Sequence, residues 1–261
     1  MSGPTIHRFE ANGPGGKGLQ DWGGFPADWL VSGTPHQNGH SYVNDDKLGF
    51  KAGAWDCTAF TDKMDSFPRH EFVILLEGSV TIIEENGRET TLKAGDSFML
   101  PKGLVCQWKQ PGTVRKFFVI WEDPAGAAPK DMKSLKVLKL DPKGKLEPST
   151  PTPAEMLISG KPVQHGHDWF VDPTGQWSVG VWDSTAYHRK QGPFPRYEMM
   201  SLLEGAVTIT DDKGQVNHFK AGDTFFIEQG AVSDFKTDGY VRKLYCIFQP
   251  KKAAAKSEAA E

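Results

Sequence analysis

Residues 71–103 read EFVILLEGSVTIIEENGRETTLKAGDSFMLPKG, and residues 198–230 read EMMSLLEGAVTITDDKGQVNHFKAGDTFFIEQG. The second stretch repeats the first: Glu198 minus Glu71, Gly180 minus Gly53, Gly222 minus Gly95 and Lys243 minus Lys116 all give 127. The register runs without a gap from Pro26/Pro153 through Gly39/Gly166, His40/His167 and Trp55/Trp182 to Ile120/Ile247. A repeat of about a hundred residues is the size of one domain, so the chain holds two copies of one fold.

Within the repeat, short runs of Val, Ile, Leu, Phe and Thr are broken by turn residues. That spacing predicts an all-β unit. Residues 72–76 form a strand, Glu77-Gly78 turns it, and 80–84 return. Asn86-Gly87 is expected to close a hairpin as a type I′ turn, which needs φ > 0 at both central positions. Residues 90–93, 97–100, 105–109 and 114–121 supply further strands. So many short strands with little helix between them bury an apolar face by packing sheet on sheet or closing into a barrel, and a jelly roll satisfies this.

Glu71 to Gly78 spells Glu, six residues, Gly, and Gly95 to Gly103 spells Gly, five residues, Pro-x-Gly. This order resembles the two sequence motifs of the cupin superfamily. GAWD (53–56), LLEGSVTI (75–82), KAGDSFMLPKG (93–103) and VRKFFVI (114–120) resemble the cupin branch that includes ureidoglycine aminohydrolase-type and ethanolamine-utilisation-type proteins. The resemblance covers both repeats and implies a bicupin, two tandem jelly-roll β-barrels. The expected organisation is an N-terminal arm (1–25), a first cupin domain (26–124), a linker with a short strand (125–152), a second cupin domain (153–250) and a disordered or frayed tail (251–261). Residues 5–10 (TIHRFE) and 136–141 (KVLKLD) both alternate like edge strands, so each unit is expected to be led by a strand, one able to cross to the neighbouring barrel.

The chain has 261 residues, of which 38% are hydrophobic, enough for two cores or one shared core. A net charge of −3 with mixed signs argues against a nucleic-acid or anionic-membrane partner. No apolar run approaches the roughly 18 residues of a membrane span, and the start lacks a signal-peptide core, so the cytoplasm is the expected address. Cys57 and Cys106 correspond to Ser184 and Ser233, and Cys246 to Val119, which reads as free thiols. Edge strands make a homodimer a reasonable expectation.

Metal-binding cupins of the type resembled carry a His-x-His pair shortly before the Glu and a His after Pro-x-Gly. The pair would fall on Met64 and Ser66 or Asp65 and Phe67, and on Gln191 and Pro193 or Gly192 and Phe194; the last ligand would fall on Cys106 and Ser233. None is histidine, so the cofactor is unknown and a divalent metal requires atypical ligands. Glu71, Cys106, His165 and His167 are the weak metal candidates, since His165-Gly166-His167 puts two imidazoles on one side of an extended strand. The contrasting reading makes these histidines surface or junction residues. His70 and Tyr197 follow strand alternation away from the neighbouring Glu, hence outward.

Glu71 and Cys106 could serve as base and nucleophile, or could be an internal hydrogen-bond acceptor and a small buried hydrophobe. If Glu71 lies beside Trp55 and Trp108 without a cation, burial raises its pKa. Arg115 and Lys116 face opposite sides of their strand, so one points inward to pair with Glu71 or hold a carboxylate ligand; the alternative is a structural salt bridge to Asp96 or Glu77. Trp55, Trp108, Trp182, Glu198, Ser233, Phe235 and Tyr187 are the ligand-binding candidates, although core packing also explains the aromatic ones. Glu228 in place of Pro101 and Ser233 in place of Cys106 favour the first barrel as the functional one. The expected function is binding of a small polar carboxylate or amide metabolite. Hydrolase, isomerase or lyase chemistry accompanies it in one reading. In the other, the barrels form a non-catalytic binding or sensing module.

Overall fold

The structure is a computed structural model and describes residues 3–124 and 135–251. Ten residues expected in the linker (125–134) and ten in the tail (252–261) lie outside the described residues. The described chain is built of strands and short 3-10 turns. Each repeat forms a jelly-roll barrel from one seven-stranded sheet facing a smaller one, of six strands in the first barrel and five in the second.

Alternation along each strand sends its two faces to different cores. In the strand His70–Glu77, Val73 and Leu75 enter the first barrel, while Phe72 enters a core shared by both halves. The same split divides Phe98 and Leu100 from Met99 in the strand Ser97–Leu100. The two seven-stranded sheets thus pack back to back over Phe50, Phe72, Trp121, Trp177, Phe226 and Phe248. His70 lies on this shared face and is 6% exposed, stacked on Trp121 and Trp177 at 5.7 and 6.1 Å. It points away from Glu71, as alternation requires, yet inward: the outer face of one barrel is the inner face of the pair.

The leading strands change places. Ile6–Phe9 pairs antiparallel with Thr224–Ile227 of the second barrel, and Leu138–Lys139 pairs with Ser97–Leu100 of the first. Each covers a sheet edge of the other unit, which protects an otherwise open row of hydrogen-bonding groups. Phe9 stacks on Tyr42 at 4.3 Å and packs on Phe226, so the exchanged strand also joins the shared core.

The hairpin at Asn86-Gly87 differs from the expected type I′ turn. Gly87 has φ 84°, but no non-glycine residue has positive φ among the described residues. The Gly87 N–H donates to Glu84 O and the Glu84 N–H to Arg88 O, at 2.8 and 2.9 Å. This is a three-residue loop ending in a left-handed glycine, whose geometry needs φ > 0 at one position only. Gly78 is bound by space as well as by φ 79°: a Cβ there would collide with the Thr113 carbonyl.

Candidate functional site

Glu71 and Glu198 stand at the inward-facing positions of equivalent strands, and each is 1% exposed. Each meets an ammonium reaching down the neighbouring strand. Lys116 Nζ lies 2.6 Å from Glu71 Oε1, and Lys243 Nζ lies 2.7 Å from Glu198 Oε1. The second oxygen faces a guanidinium, Arg69 at 3.3 Å in the first barrel and Arg196 at 2.9 Å in the second. Aromatic faces complete the cation sites: Lys116 Nζ is 4.5 and 4.7 Å from the Trp55 and Trp108 ring centres, and Lys243 Nζ is 4.8 Å from that of Trp182.

Burial alone would push both carboxyl groups up, but the adjacent ammonium and guanidinium outweigh it. Glu71 is held below the usual carboxylate range and Glu198 is lowered to about 2. Burial lowers the two lysines, opposed by the carboxylates they touch.

Above each pair opens a cavity, about 480 Å³ in the first barrel and about 540 Å³ in the second. Glu71, Cys106, Lys116, Trp55 and Trp108 line the first; Glu198, Trp182, Tyr187, Phe235 and His167 line the second. Three expected site residues lie elsewhere. Arg115 sits at a bulge on the other side of its strand and bridges Asp56 and Glu77, both at 3.1 Å. Ser233 is wholly enclosed in the sheet wall and is not among the cavity residues. His165 alternates away from Gln164 and places Nδ1 2.8 Å from Asp183 Oδ1.

Cys106 reaches the cavity wall, but burial, with Asp62 and Glu84 nearby, pushes its thiol up to about 12. A neutral thiol is a poor nucleophile. All three cysteines are free and buried.

The metal expected of the fold does not fit these residues. Both oxygens of each central carboxylate already face cations, and two fixed positive charges repel a third. Met64, Asp65 and Ser66 are exposed at the rim, and no group of three His, Cys, Asp or Glu converges on a metal position among the described residues. His167 packs edge-on against Trp169, at 4.9 Å.

Sequence reasoning passed over one pair. Asp62 and Arg189 occupy the same repeat position, 127 apart, and both line their cavities. A charge reversal in an otherwise faithful repeat was the signal available.

A model of the EutQ-like cupin domain matches residues 46–118 and 171–245. The chain belongs to the EutQ-like cupin family. This bicupin is similar in structure to a DUF861-family protein of unknown function from Pseudomonas syringae pv. tomato, at 27% identity and TM-score 0.77, covering 94% of this chain and all (100%) of that one. It also resembles a cupin 2 conserved barrel domain protein from Leptotrichia buccalis, at 10% identity and TM-score 0.55, with 82% and 89% covered. The Escherichia coli DUF861 protein YlbA shares 11% identity at TM-score 0.50, with 84% and 85% covered. The last two likenesses concern the fold alone. No curated protein sequence matches the bicupin significantly. No helix among its described residues is long and apolar enough to cross a membrane.

Proposed function

We propose that this bicupin is a metabolite-binding protein whose second barrel holds a small organic carboxylate without a metal. The observation that carries this reading is Arg189. Its side chain lines the cavity, no carboxylate lies within ion-pair distance of it among the described residues, and its Nε is buried without a hydrogen-bond partner. Burial lowers its pKa, partly offset by Tyr187, Glu198 and Asp234 nearby. Arg196 and Lys243 are already spent on Glu198, and Asp168 accepts the Tyr245 hydroxyl at 2.6 Å. One arm of the guanidinium, Nη2, donates to the Ser233 carbonyl at 3.4 Å; an incoming carboxylate would meet the rest of it, with Thr152, Tyr187 and His167 to orient its remainder.

The test is calorimetric titration of the whole chain with succinate and related small acids. Binding should weaken about tenfold or more in Arg189→Gln, the scale of one charge-assisted hydrogen bond. Failure of every such acid to bind, or equal affinity in the variant, would sink the reading.

A catalytic version adds hydrolysis, isomerisation or lyase chemistry on the bound acid or amide. What favours it is the Lys243–Glu198 contact at 2.7 Å, a buried acid–base pair on the cavity floor with the lysine lowered by burial. Glu198, held ionised down to about pH 2, is a weak base, so binding is the better supported role.

A further inference from the structure

The two cavities keep one floor and differ in their walls. Trp22, Phe25 and Trp29 close the mouth of the first, where the repeat places Ser149, Thr152 and Met156 in the second. Deeper in, Phe60 and Phe118 face Tyr187 and Tyr245 across the repeat, so the second cavity has hydroxyls where the first has bare rings. Eight aromatic side chains line the first cavity and five line the second, which makes the first the better receptacle for a flat ring.

Charge changes with the walls. The lining of the first cavity carries Arg69, Lys116 and Lys63 against Glu71, Asp62, Asp28 and Asp65, three positive groups to four negative. The second carries Arg189, Arg196 and Lys243 against Glu198 and Asp168, three to two. The reversal is concentrated at Asp62, which takes the place of Arg189. Asp62 Oδ1 accepts the backbone N–H of Trp108 at 2.6 Å, which fixes the carboxylate in the wall. No other residue donates to its second oxygen among the described residues, and the side chain lines the cavity.

We propose that the first barrel is a second, separate ligand site, selective for an aromatic or heteroaromatic amine: the ring lies among Trp29, Phe25 and Trp55, and the amine donates to Asp62 Oδ2. An N–H donor supplies what the carboxylate lacks, and the rings around it favour a cation over an anion. Burial in the same walls raises the Asp62 pKa to about 6, so the carboxylate gains from a positive partner. This site stands independently of the carboxylate reading for the second barrel, and the two barrels would let one chain hold two unlike molecules.

The experiment is calorimetry on the full chain carrying Arg189→Gln, which removes the competing anion site, with phenethylamine and phenylacetate as probes. They share a ring and differ in charge. Phenethylamine should bind at least tenfold more tightly than phenylacetate, and adding Asp62→Asn should erase that preference. The asparagine oxygen can still accept the Trp108 N–H, and a thermal melt of the variant checks its fold. Should the Asp62 variant fail to fold, the amine-over-acid preference of the Arg189→Gln chain decides alone. Equal binding of the two probes, no millimolar binding of phenethylamine, or an amine preference that survives a folded Asp62→Asn would each overturn the proposal. Succinate binding to the wild-type chain reports on the second barrel alone, so either site can fail without the other.

Discussion

Glu71 is buried at the floor of the first cavity, held between Lys116 and Arg69. Removing its charge leaves the Lys116 ammonium buried, 8% exposed at the side chain, with no carboxylate at 2.6 Å. Breaking one side of a buried pair costs roughly 3–5 kcal/mol, whereas replacing both sides is far milder. Glu71→Gln is therefore expected to lower stability by about that amount in urea denaturation, and Glu71→Gln with Lys116→Met should recover most of it. A neutral result for the single change would mean the pair adds nothing net. The thiols give a second expectation at this scale. Burial pushes Cys57 up to about 11 and Cys106 up to about 12, and raises Cys246 well above the ordinary thiol value. Native protein should be inert to a thiol-reactive dye at pH 8 and release three thiols on unfolding. Rapid native labelling of Cys106 would restore it as a candidate nucleophile.

The exchanged strand Ile6–Phe9 shows how an element far from either cavity governs one of them. It pairs with Thr224–Ile227, the direct neighbour of the strand that bears Glu198, and Ile227 itself stands opposite Glu198. Arg8 bridges Asp223 at 3.0 Å and His7 meets Glu228 at 2.6 Å, so side chains pin the same register. Phe9 is 5% exposed, and truncating a buried Phe to Ala costs about 3–5 kcal/mol. Phe9→Ala should accordingly lower stability by that order, with amide exchange speeding up first in residues 224–227. Loss of protection confined to the first barrel would contradict the exchange.

The whole molecule is held by the core between its barrels, and a single unfolding transition is expected because neither seven-stranded sheet keeps its buried face alone. That core contains a titratable group. Burial lowers His70 to about 4, so between pH 6.5 and 4 the unfolded chain takes up a proton that the folded chain refuses. Its contribution is complete above pH 6.5 and is lost as pH falls toward 4, about 3 kcal/mol in all. Asp62 acts with the opposite sign. Its raised pKa means the folded chain holds the extra proton between 3.8 and about 6, so stability falls as pH rises through that window. The two terms oppose each other in the wild type. His70→Gln should unmask the Asp62 slope and Asp62→Asn the His70 slope, in chemical denaturation at a series of pH values. Unchanged profiles in both variants would show that neither group is buried as described.

The repeat, its strand periods and its turn residues determined the fold, because alternation and left-handed glycines are local properties written in consecutive residues. They also determined the inward carboxylates and the paired aromatic and cationic positions, since a strand shows only two faces. What the local pattern leaves open is the identity of each face's neighbour. His70 pointed away from Glu71 as alternation requires, but only the back-to-back packing of the sheets made that direction the interior. Lys116 rather than Arg115 met Glu71 because Lys116 shares the barrel-facing side of its strand with Val114 and Phe118, while Arg115 on the opposite side meets Asp56 and Glu77. Asp62 and Arg189 became significant only when the barrels closed around them, because a charge acquires its energetic weight from the apolar walls and missing partners that tertiary structure supplies.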